Sequence, residues 1–441
     1  MGIYSLLLTL VLVLGSPFWL VRMATSGRYR AGLGGRLGRI PAELRNWRKR
    51  HTAKPVVWLH AVSVGEVLVA VRLIEEFRQA TPELMFAVST TTAAGQELAK
   101  RRLPGCAVFY MPLDFRFAVR RYLQLLAPRL VVLMESELWP RLLVECGVEG
   151  IPVAVANARI SDRSFPRYMR LRRLWRPLLA EVRVFLAQNE ETGERLRAIG
   201  GATIRDRVVV TGNVKYDARS GADNAMAQRI GSLLRDTRLV VAGSTLGDEE
   251  AMLLEQWPAI QAAIPNVALL IAPRHTNRFE EVAAAMRQSG SPFLRCSQIH
   301  VDPELIGETA INPIGETVAG GTILLLDTIG DLGSIYRLAT VAFVGGSLVR
   351  RGGHNPLEPA QFGVPVTVGP SFENFREIVG KMEAAEGIRI VTDKEGLKEI
   401  LIELLADPEK ARASGQRGKR VFEEQQGATA RTVHALLELI A

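Results

Sequence analysis

Acidic residues stand where an apolar run ends. Met134-Glu135-Ser136-Glu137 closes the run 130–136. Two acids at i and i+2 of an extended segment point the same way, which costs charge repulsion unless a substrate or a cation meets them. Helix capping accounts for one such acid but not readily for both. A second acid follows Trp58-Leu59-His60-Ala61-Val62-Ser63-Val64-Gly65, a strand that passes through a glycine turn into a helix. Gly65 permits a tight turn or a close ligand approach, and Glu66 falls in the first helical turn. The positive helix end there should lower the pKa of Glu66 and keep it ionised as a general base. Read alone, the segment better fits a glutamate that only caps its helix.

Cations and glycines complete the inventory. Asn157-Ala158-Arg159-Ile160-Ser161 and Gly212-Asn213-Val214-Lys215-Tyr216-Asp217 each follow a strand, and Lys215 there is either a counter-charge for a leaving phosphate or a solvated surface lysine. Further on come Ala242-Gly243-Ser244-Thr245, Ala272-Pro273-Arg274-His275, Asp327-Thr328-Ile329-Gly330-Asp331-Leu332, Gly345-Gly346-Ser347 and Gly352-Gly353-His354-Asn355-Pro356-Leu357-Glu358-Pro359. Each lies at or just past a strand's carboxyl end, where glycines and hydroxyl residues at helix N-termini offer backbone N–H groups to phosphate, Ser244 and Gly346 among them. Asn355-Pro356-Leu357-Glu358 should begin a helix with proline near its first turn and turn Glu358 toward a ribose. Neither a P-loop nor GxGxxG is present, which disfavours ATPases and dehydrogenases. There is no Asp-x-Asp, and the six histidines are scattered, so no metal site and no cofactor is expected.

The elements that position these residues are legible as period. Short apolar runs at 56–61, 84–90, 107–112, 130–136, 151–157, 182–188 and 208–212, and again at 239–243, 267–273, 322–327, 341–346, 365–369 and 388–391, alternate with amphipathic stretches. Continuous apolar strands belong to parallel sheets covered on both faces. The expected fold is therefore α/β: two doubly wound Rossmann-like lobes, with ligands at the carboxyl ends of the strands in the cleft between them. The first lobe covers 55–215, a polar hinge 216–236, the second lobe 237–420 and a C-terminal helix 421–441. Fold alone does not choose among the many families that use such lobes.

The chain's 441 residues carry a formal charge of +9. Residues 22–50 hold nine Lys/Arg against Glu43 alone, which is +8 and leaves +1 for everything after them, because residues 1–21 carry no charge. A body so nearly neutral is not that of a nucleic-acid binder. Residues 1–21 read as a membrane anchor of about the minimum 17 to 25 residues, and 22–54 as its basic flank, with the N-terminus outside and the lobes on the cytoplasmic face. A cleaved signal peptide would carry its charges before the apolar core. The arginines beside the bilayer would attract anionic lipids. Cys106, Cys146 and Cys296 are far apart and outside any CxxC, which speaks for a reducing compartment without disulfides or zinc.

Taken together, Ser-Val-Gly-Glu at 63–66, Glu-x-Glu-Leu-Trp-Pro at 135–140, Asn-Ala-Arg-Ile-Ser at 157–161, Gly-Asn-Val-Lys at 212–215, Ala-Pro-Arg-His at 272–275 and Gly-Gly-His-Asn-Pro-Leu-Glu at 352–358 resemble the 3-deoxy-D-manno-octulosonic acid (Kdo) transferases of lipopolysaccharide biosynthesis. The resemblance implies a glycosyltransferase B fold, CMP-Kdo as donor, a lipid A disaccharide precursor as acceptor, and inversion at the anomeric carbon. It makes Glu66 the catalytic base, gives Glu135, Glu137 and Lys215 support of the transition state, and puts Ser63, Gly65 and Arg159 on the acceptor side. CMP contacts fall on Pro273, Arg274, Ile329, Gly330, Asp331, Asn355, Pro356, Leu357 and Glu358. Asp331 departs from the glutamate common there, and a shorter acid reaches less far. The rival readings are a membrane-associated transferase with a UDP-sugar donor and a non-catalytic, membrane-tethered sugar-nucleotide-binding protein.

Overall fold

A computed structural model describes residues 2–26, 32–217, 224–299 and 317–440, the side chains at 3, 20, 23, 24 and 26 excepted. Strands β1 Val56–His60, β2 Met85–Thr90, β3 Ala107–Tyr110, β4 Leu130–Met134, β5 Val153–Ala158, β6 Val184–Ala187 and β7 Val208–Val210 form one sheet in the order β3-β2-β1-β4-β5-β6-β7. All its pairings are parallel. Every residue of β1 and β4 is buried, and apolar clusters lie on both faces, as continuous apolar strands require. Each half of the chain thus builds its own doubly wound sheet.

The second sheet takes β8 Arg238–Thr245, β9 Val267–Pro273, β10 Phe293–Arg295, β11 Ile323–Leu325, β12 Val341–Val344, β13 Val366–Val368 and β14 Ile388–Ile390 in the order β10-β11-β9-β8-β12-β13-β14, again parallel. Thirteen of these fourteen strands coincide with apolar runs read from sequence, with ends shifted by a residue or two. The exception is β10, whose three residues are too few to show a period; its edge pairing with β11 makes it a strand.

The chain divides into two compact units, Met1–Asp217 with Gln426–Ala441, and Ala218–Gln425. The C-terminal segment corrects the expectation of one helix over 421–441. Helix Pro408–Glu424 ends first, Gly427 turns the chain at φ 82°, and helix Ala428–Leu437 belongs to the first unit. There Ala428, Val433 and Leu436 share the core of helix Val64–Ala80, and Gln426 Nε2 donates to Tyr216 O at 3.0 Å. The expected hinge is partly structured as well: helix Ala225–Leu234, capped by Asn224, buries Ile230 and Leu233 in the second unit. Residues 218–223 of that hinge lie outside the described residues, as do Arg28 and Arg30 of the basic flank.

The N-terminal helix runs Gly2–Ser26, longer than the expected 1–21. Among the described residues no helix is long and apolar enough to cross a membrane. Leu6, Leu7, Leu10, Val13, Leu14, Phe18 and Val21 are nonetheless all more than half exposed.

Strand order decides where ligands can bind. In the first sheet it reverses direction between β1 and β4, and in the second between β8 and β12. The carboxyl ends of such strand pairs diverge and leave an opening. Glu66 and the Glu135/Glu137 pair follow β1 and β4; Ser244 and Gly346 stand at the ends of β8 and β12.

Candidate active site

In the first unit, Ser63 is the N-cap of helix Val64–Ala80 and Glu66 its third residue. Ser63 Oγ donates to Glu66 Oε1 at 2.9 Å, and the Val62 N–H donates to Glu66 Oε2, also at 2.9 Å. The Glu66 N–H reaches back to Ser63 Oγ at 3.4 Å, a variant of the capping box in which the carboxylate takes the Val62 N–H in place of that of Ser63. Glu66 therefore caps its helix close to the divergent strand ends. The expected direction of its pKa is corrected: burial raises it, and the hydrogen bonds from Val62 and Ser63 only oppose that. Nothing stands within 3.9 Å of where a Gly65 side chain would begin, so the helix start is open to a ligand.

Across the switch point, β4 ends at Met134 and Glu135 adopts φ 56°, a left-handed conformation that is rare for a non-glycine residue. That turn leaves Glu135 facing Lys215, with Nζ to Oε1 2.5 Å apart. Lys215 is held in its turn by its own backbone: Arg72 Nη1 donates to the carbonyls of Val214 (2.8 Å) and Lys215 (3.1 Å), and the buried Asn157 Oδ1 accepts from the Val214 N–H at 3.1 Å. Lys215 is thus an ion-paired lysine, its ammonium held by Glu135.

Glu137 is pushed up to about 7, by burial first and then by the charges of Glu66 and Glu135. Glu66 in turn feels Glu135 and Lys215. Three carboxylates and one ammonium thus form a single electrostatic group. Because the unfolded glutamate ionises near 4.5 and the folded one near 7, the unfolded chain has fewer bound protons between those values, and Glu137 weakens the fold as pH rises through that window. Glu137→Gln is expected to raise the melting temperature by a few degrees at pH 8 and to leave it unchanged at pH 4; an unchanged melting temperature at pH 8 would exclude the burial argument.

In the second unit β8 ends in an irregular register between Gly243 and Thr245, with Ser244 at φ 58°. Glu249 is fully buried behind this turn and accepts four backbone N–H bonds, from Leu246 (2.9 Å) and Gly346 (2.7 Å) on Oε2 and from Ser347 and Leu348 (both 2.9 Å) on Oε1. The expectation that Gly346 offers its N–H to phosphate is therefore corrected, since that donor is already committed to a carboxylate. Gly346 has another role, because a Cβ there would lie 3.0 Å from the His354 ring.

Arg274 stands exposed just past β9, its N–H on Thr245 O at 3.0 Å. Its charge reaches two half-buried neighbours. His354 is lowered to about 4, by burial and then by Arg274 and His275, while Glu358 is raised by burial against the pull of Arg274. Asn355 Oδ1 accepts from the Leu357 N–H at 3.1 Å, and helix Leu357–Ala360 starts behind Pro356, as the sequence leads one to expect. Ile329 is 82% exposed and Gly330 has nothing within 4 Å of a Cβ position, so among the described residues this loop tip presents an open apolar face. Asp331 is turned inward: Asn224 Nδ2 donates to Oδ1 at 2.8 Å and Thr328 Oγ1 to Oδ2 at 2.5 Å.

If Arg274 meets the nucleotide phosphate, as the family resemblance implies, Arg274→Ala should weaken CMP binding by roughly 10- to 100-fold, the worth of one charge-assisted hydrogen bond, with the loss shrinking at high salt. Isothermal titration at two ionic strengths checks this, and an unchanged affinity removes Arg274 from the donor site.

Two features escaped sequence reasoning. Arg163, Arg167, Arg170, Arg172, Arg173 and Arg176 are all exposed on helices Phe165–Arg170 and Arg172–Leu179 and the turn before them, with no acid in 163–176. The near-zero charge of the whole body conceals them, and a sliding count would have found them. Tyr168 among them feels the charge of Glu137, so this basic surface adjoins the carboxylates. The second is Glu249, which nothing in its helix marks as a loop anchor. Arg159 is exposed just past the end of β5.

Comparison with known proteins gives a consistent picture. Residues 31–218 match the family model described as 3-deoxy-D-manno-octulosonic-acid transferase (kdotransferase). A 3-deoxy-D-manno-octulosonic acid transferase of Haemophilus influenzae is 33% identical over 387 residues, covering 86% of each chain. One from Bordetella pertussis is 33% identical over 391 residues, again 86% of each. Among solved structures, UDP-GlcNAc 2-epimerase from Neisseria meningitidis bound to UDP-GlcNAc aligns with a TM-score of 0.54 at 14% identity, covering 87% of this chain and 99% of that one, a likeness of fold alone.

Proposed function

The chain belongs to the Kdo transferase family and is a glycosyltransferase of lipopolysaccharide biosynthesis, and from that premise we propose how its residues divide the reaction. The donor is CMP-Kdo, held by the second unit, and the acceptor is a lipid A disaccharide precursor, met by the first. Glu66 takes the proton of the acceptor hydroxyl as that oxygen bonds to the anomeric carbon, and the bond to the CMP phosphate breaks with its electron pair on the phosphate oxygen. Attack on the face opposite the leaving group inverts the anomeric centre.

The observation that carries this reading is the coupled group of Glu66, Glu135, Glu137 and Lys215 at the switch point of the first sheet. A base is most effective when its pKa lies near the working pH, and burial moves Glu66 in that direction. Arg274 supplies positive charge for the departing monophosphate, which carries less charge than a diphosphate and can leave without a metal, while Lys215 balances the charge of Glu135 beside the base. Pro273, Arg274, Ile329, Gly330, Asn355, Pro356, Leu357 and Glu358 form the nucleotide side, with Asp331 shaping the loop. Ser63 and Gly65 open the helix start to the acceptor, and the arginines of 163–176 meet its phosphates.

The acceptor lives in a bilayer, so the reading includes attachment to the cytoplasmic face of the inner membrane through helix Gly2–Ser26 and the basic residues after it. Mass spectrometry of the product from CMP-Kdo and a tetraacylated lipid A precursor tests the reaction, and thermal protection by CMP but not by UDP tests the donor. Equal protection by UDP, or no Kdo adduct, overturns the assignment.

A further inference from the structure

The N-terminal helix has two sides. Around the helical wheel, Ser5, Leu8, Leu12, Gly15, Ser16 and Trp19 fall on one side and are all partly covered. Leu6, Leu7, Leu10, Val13, Leu14, Phe18 and Val21 fall on the opposite side, between 51% and 71% exposed. The partly covered side continues for most of the helix's length, and its first turn is hydrogen-bonded to the body.

Both ends of the segment are tied to the same place. Tyr4 Oη donates to Asp114 Oδ2 at 2.8 Å, and Arg141 Nη2 donates to Ser5 Oγ at 3.0 Å. Asp114 is itself 1% exposed and also accepts the N–H groups of Arg141 (2.8 Å) and Leu142 (2.9 Å), so it is part of the fold rather than a loose surface acid. On the far side of the helix, the Leu113 N–H donates to Arg36 O at 2.7 Å, Tyr122 Oη to Gly35 O at 3.0 Å, and Arg36 Nη2 to Thr91 O at 2.6 Å. Residues 4 and 36 are thus bound to adjacent residues, 114 and 113.

This is incompatible with crossing a bilayer. A helix of 25 residues is about 37 Å long, so with Tyr4 on the body a perpendicular helix would carry Ser26 to the far side. The six steps from Ser26 to Gly32 span at most about 21 Å, short of the roughly 30 Å of hydrocarbon that the chain would have to recross. Placing Tyr4 on the far side instead breaks both of its end's hydrogen bonds and leaves Asp114 buried without its hydroxyl donor.

We propose that helix Gly2–Ser26 lies in the plane of the membrane surface, its Leu6–Val21 apolar side immersed in the acyl chains and its covered side on the catalytic body, so that the protein is monotopic with both termini of the helix on one face. The occupant of the apolar side is a bilayer with anionic headgroups: Arg22 follows the apolar side directly, its guanidinium 4.8 Å from the Phe18 ring, and exposed Arg45, Lys49 and Arg50 lie on the next long helix, Ala42–Arg50. Leu33, Leu37 and Phe117 add exposed apolar surface where the chain re-enters the body. This replaces the expectation of a spanning anchor with its N-terminus outside, and it stands or falls independently of the Kdo reaction.

The test uses the full chain with Leu7→Cys, Leu14→Cys or Val21→Cys, all at exposed positions. Each is spin-labelled and reconstituted into vesicles of phosphatidylethanolamine and phosphatidylglycerol, with the labelled parent chain as the blank for its three native cysteines. An in-plane helix gives the three labels equal, shallow immersion depths within a few ångströms, from their accessibility to oxygen against a water-soluble nickel complex. A spanning helix puts Leu14 about 10 Å deeper than the other two, since seven residues rise about 10 Å, and a dipping helix gives a steady gradient; either overturns the proposal. So does the absence of oxygen contact at all three. Gly2→Cys provides a second readout: an impermeant maleimide should reach it from the cytoplasmic side of membranes alone, and labelling from the opposite side rejects the arrangement.

Discussion

Glu66→Gln is expected to lower the turnover of Kdo transfer about 10³-fold, the middle of the range for a positioned general base, with the melting temperature and CMP affinity nearly unchanged. The reason lies in the double duty of this side chain. Its carboxylate takes one hydrogen bond from the Val62 N–H and one from Ser63 Oγ. A glutamine can keep both contacts, its carbonyl accepting from Val62 and its amide donating to the serine hydroxyl, which rotates to accept. Only basicity is lost. Glu66→Ala removes the cap as well and should cost about 1 kcal/mol of stability in addition. The two variants together separate chemistry from folding. A Gln variant that keeps more than about a tenth of the activity would show that some other group takes the proton. The pH profile adds a check with a definite sign: Lys215 holds the Glu66 pKa down, so Lys215→Met should move the acidic limb of kcat/KM to higher pH.

The other large effect is one of stability. Glu249→Ala should destabilise the second unit by on the order of 4 kcal/mol, since four buried N–H groups lose their acceptor at about 1–3 kcal/mol each and the loop can relax to recover part. Glu249→Gln should fall between, because its carbonyl serves one pair of donors while its amide faces the other pair, donor against donor. Urea unfolding of the full chain should show one transition moved to lower denaturant, belonging to this unit, with the other unmoved, and CMP binding lost together with the 345–348 loop. Coincident unfolding curves for the Ala variant and its parent would mean that the loop does not depend on this anchor.

These two residues show how the sequence could and could not be read. Strands β1 and β4 were legible because a strand buried on both faces must be apolar at every position, and a run such as Leu130–Met134 has no other explanation of equal economy. The same constraint marked where β4 stops, because Glu135 is the first residue after it that is not buried. Strand β10 was not legible, since three residues carry no period and its identity as a strand comes from the β11 backbone beside it. The direction of the Glu66 pKa was misread for a related reason. Helix position is local and visible in sequence, whereas burial is a sum over neighbours from distant parts of the chain, and here burial outweighs the helix end.

Gly346 and the N-terminal helix make the same distinction. A glycine after a strand promises a free N–H, yet whether a carboxylate already holds it depends on Glu249, almost a hundred residues earlier. An apolar stretch followed by arginines promises a membrane, and composition alone supports that much. Whether the helix crosses or lies flat depends on Tyr4 meeting Asp114 and Arg36 meeting Leu113. Periodicity, composition and motif spacing follow from neighbours along the chain, so they were open to reading and carried the lobes and the family. Burial, committed donors and the helix's two tethers arise between residues far apart in sequence, and only folding brings those partners together.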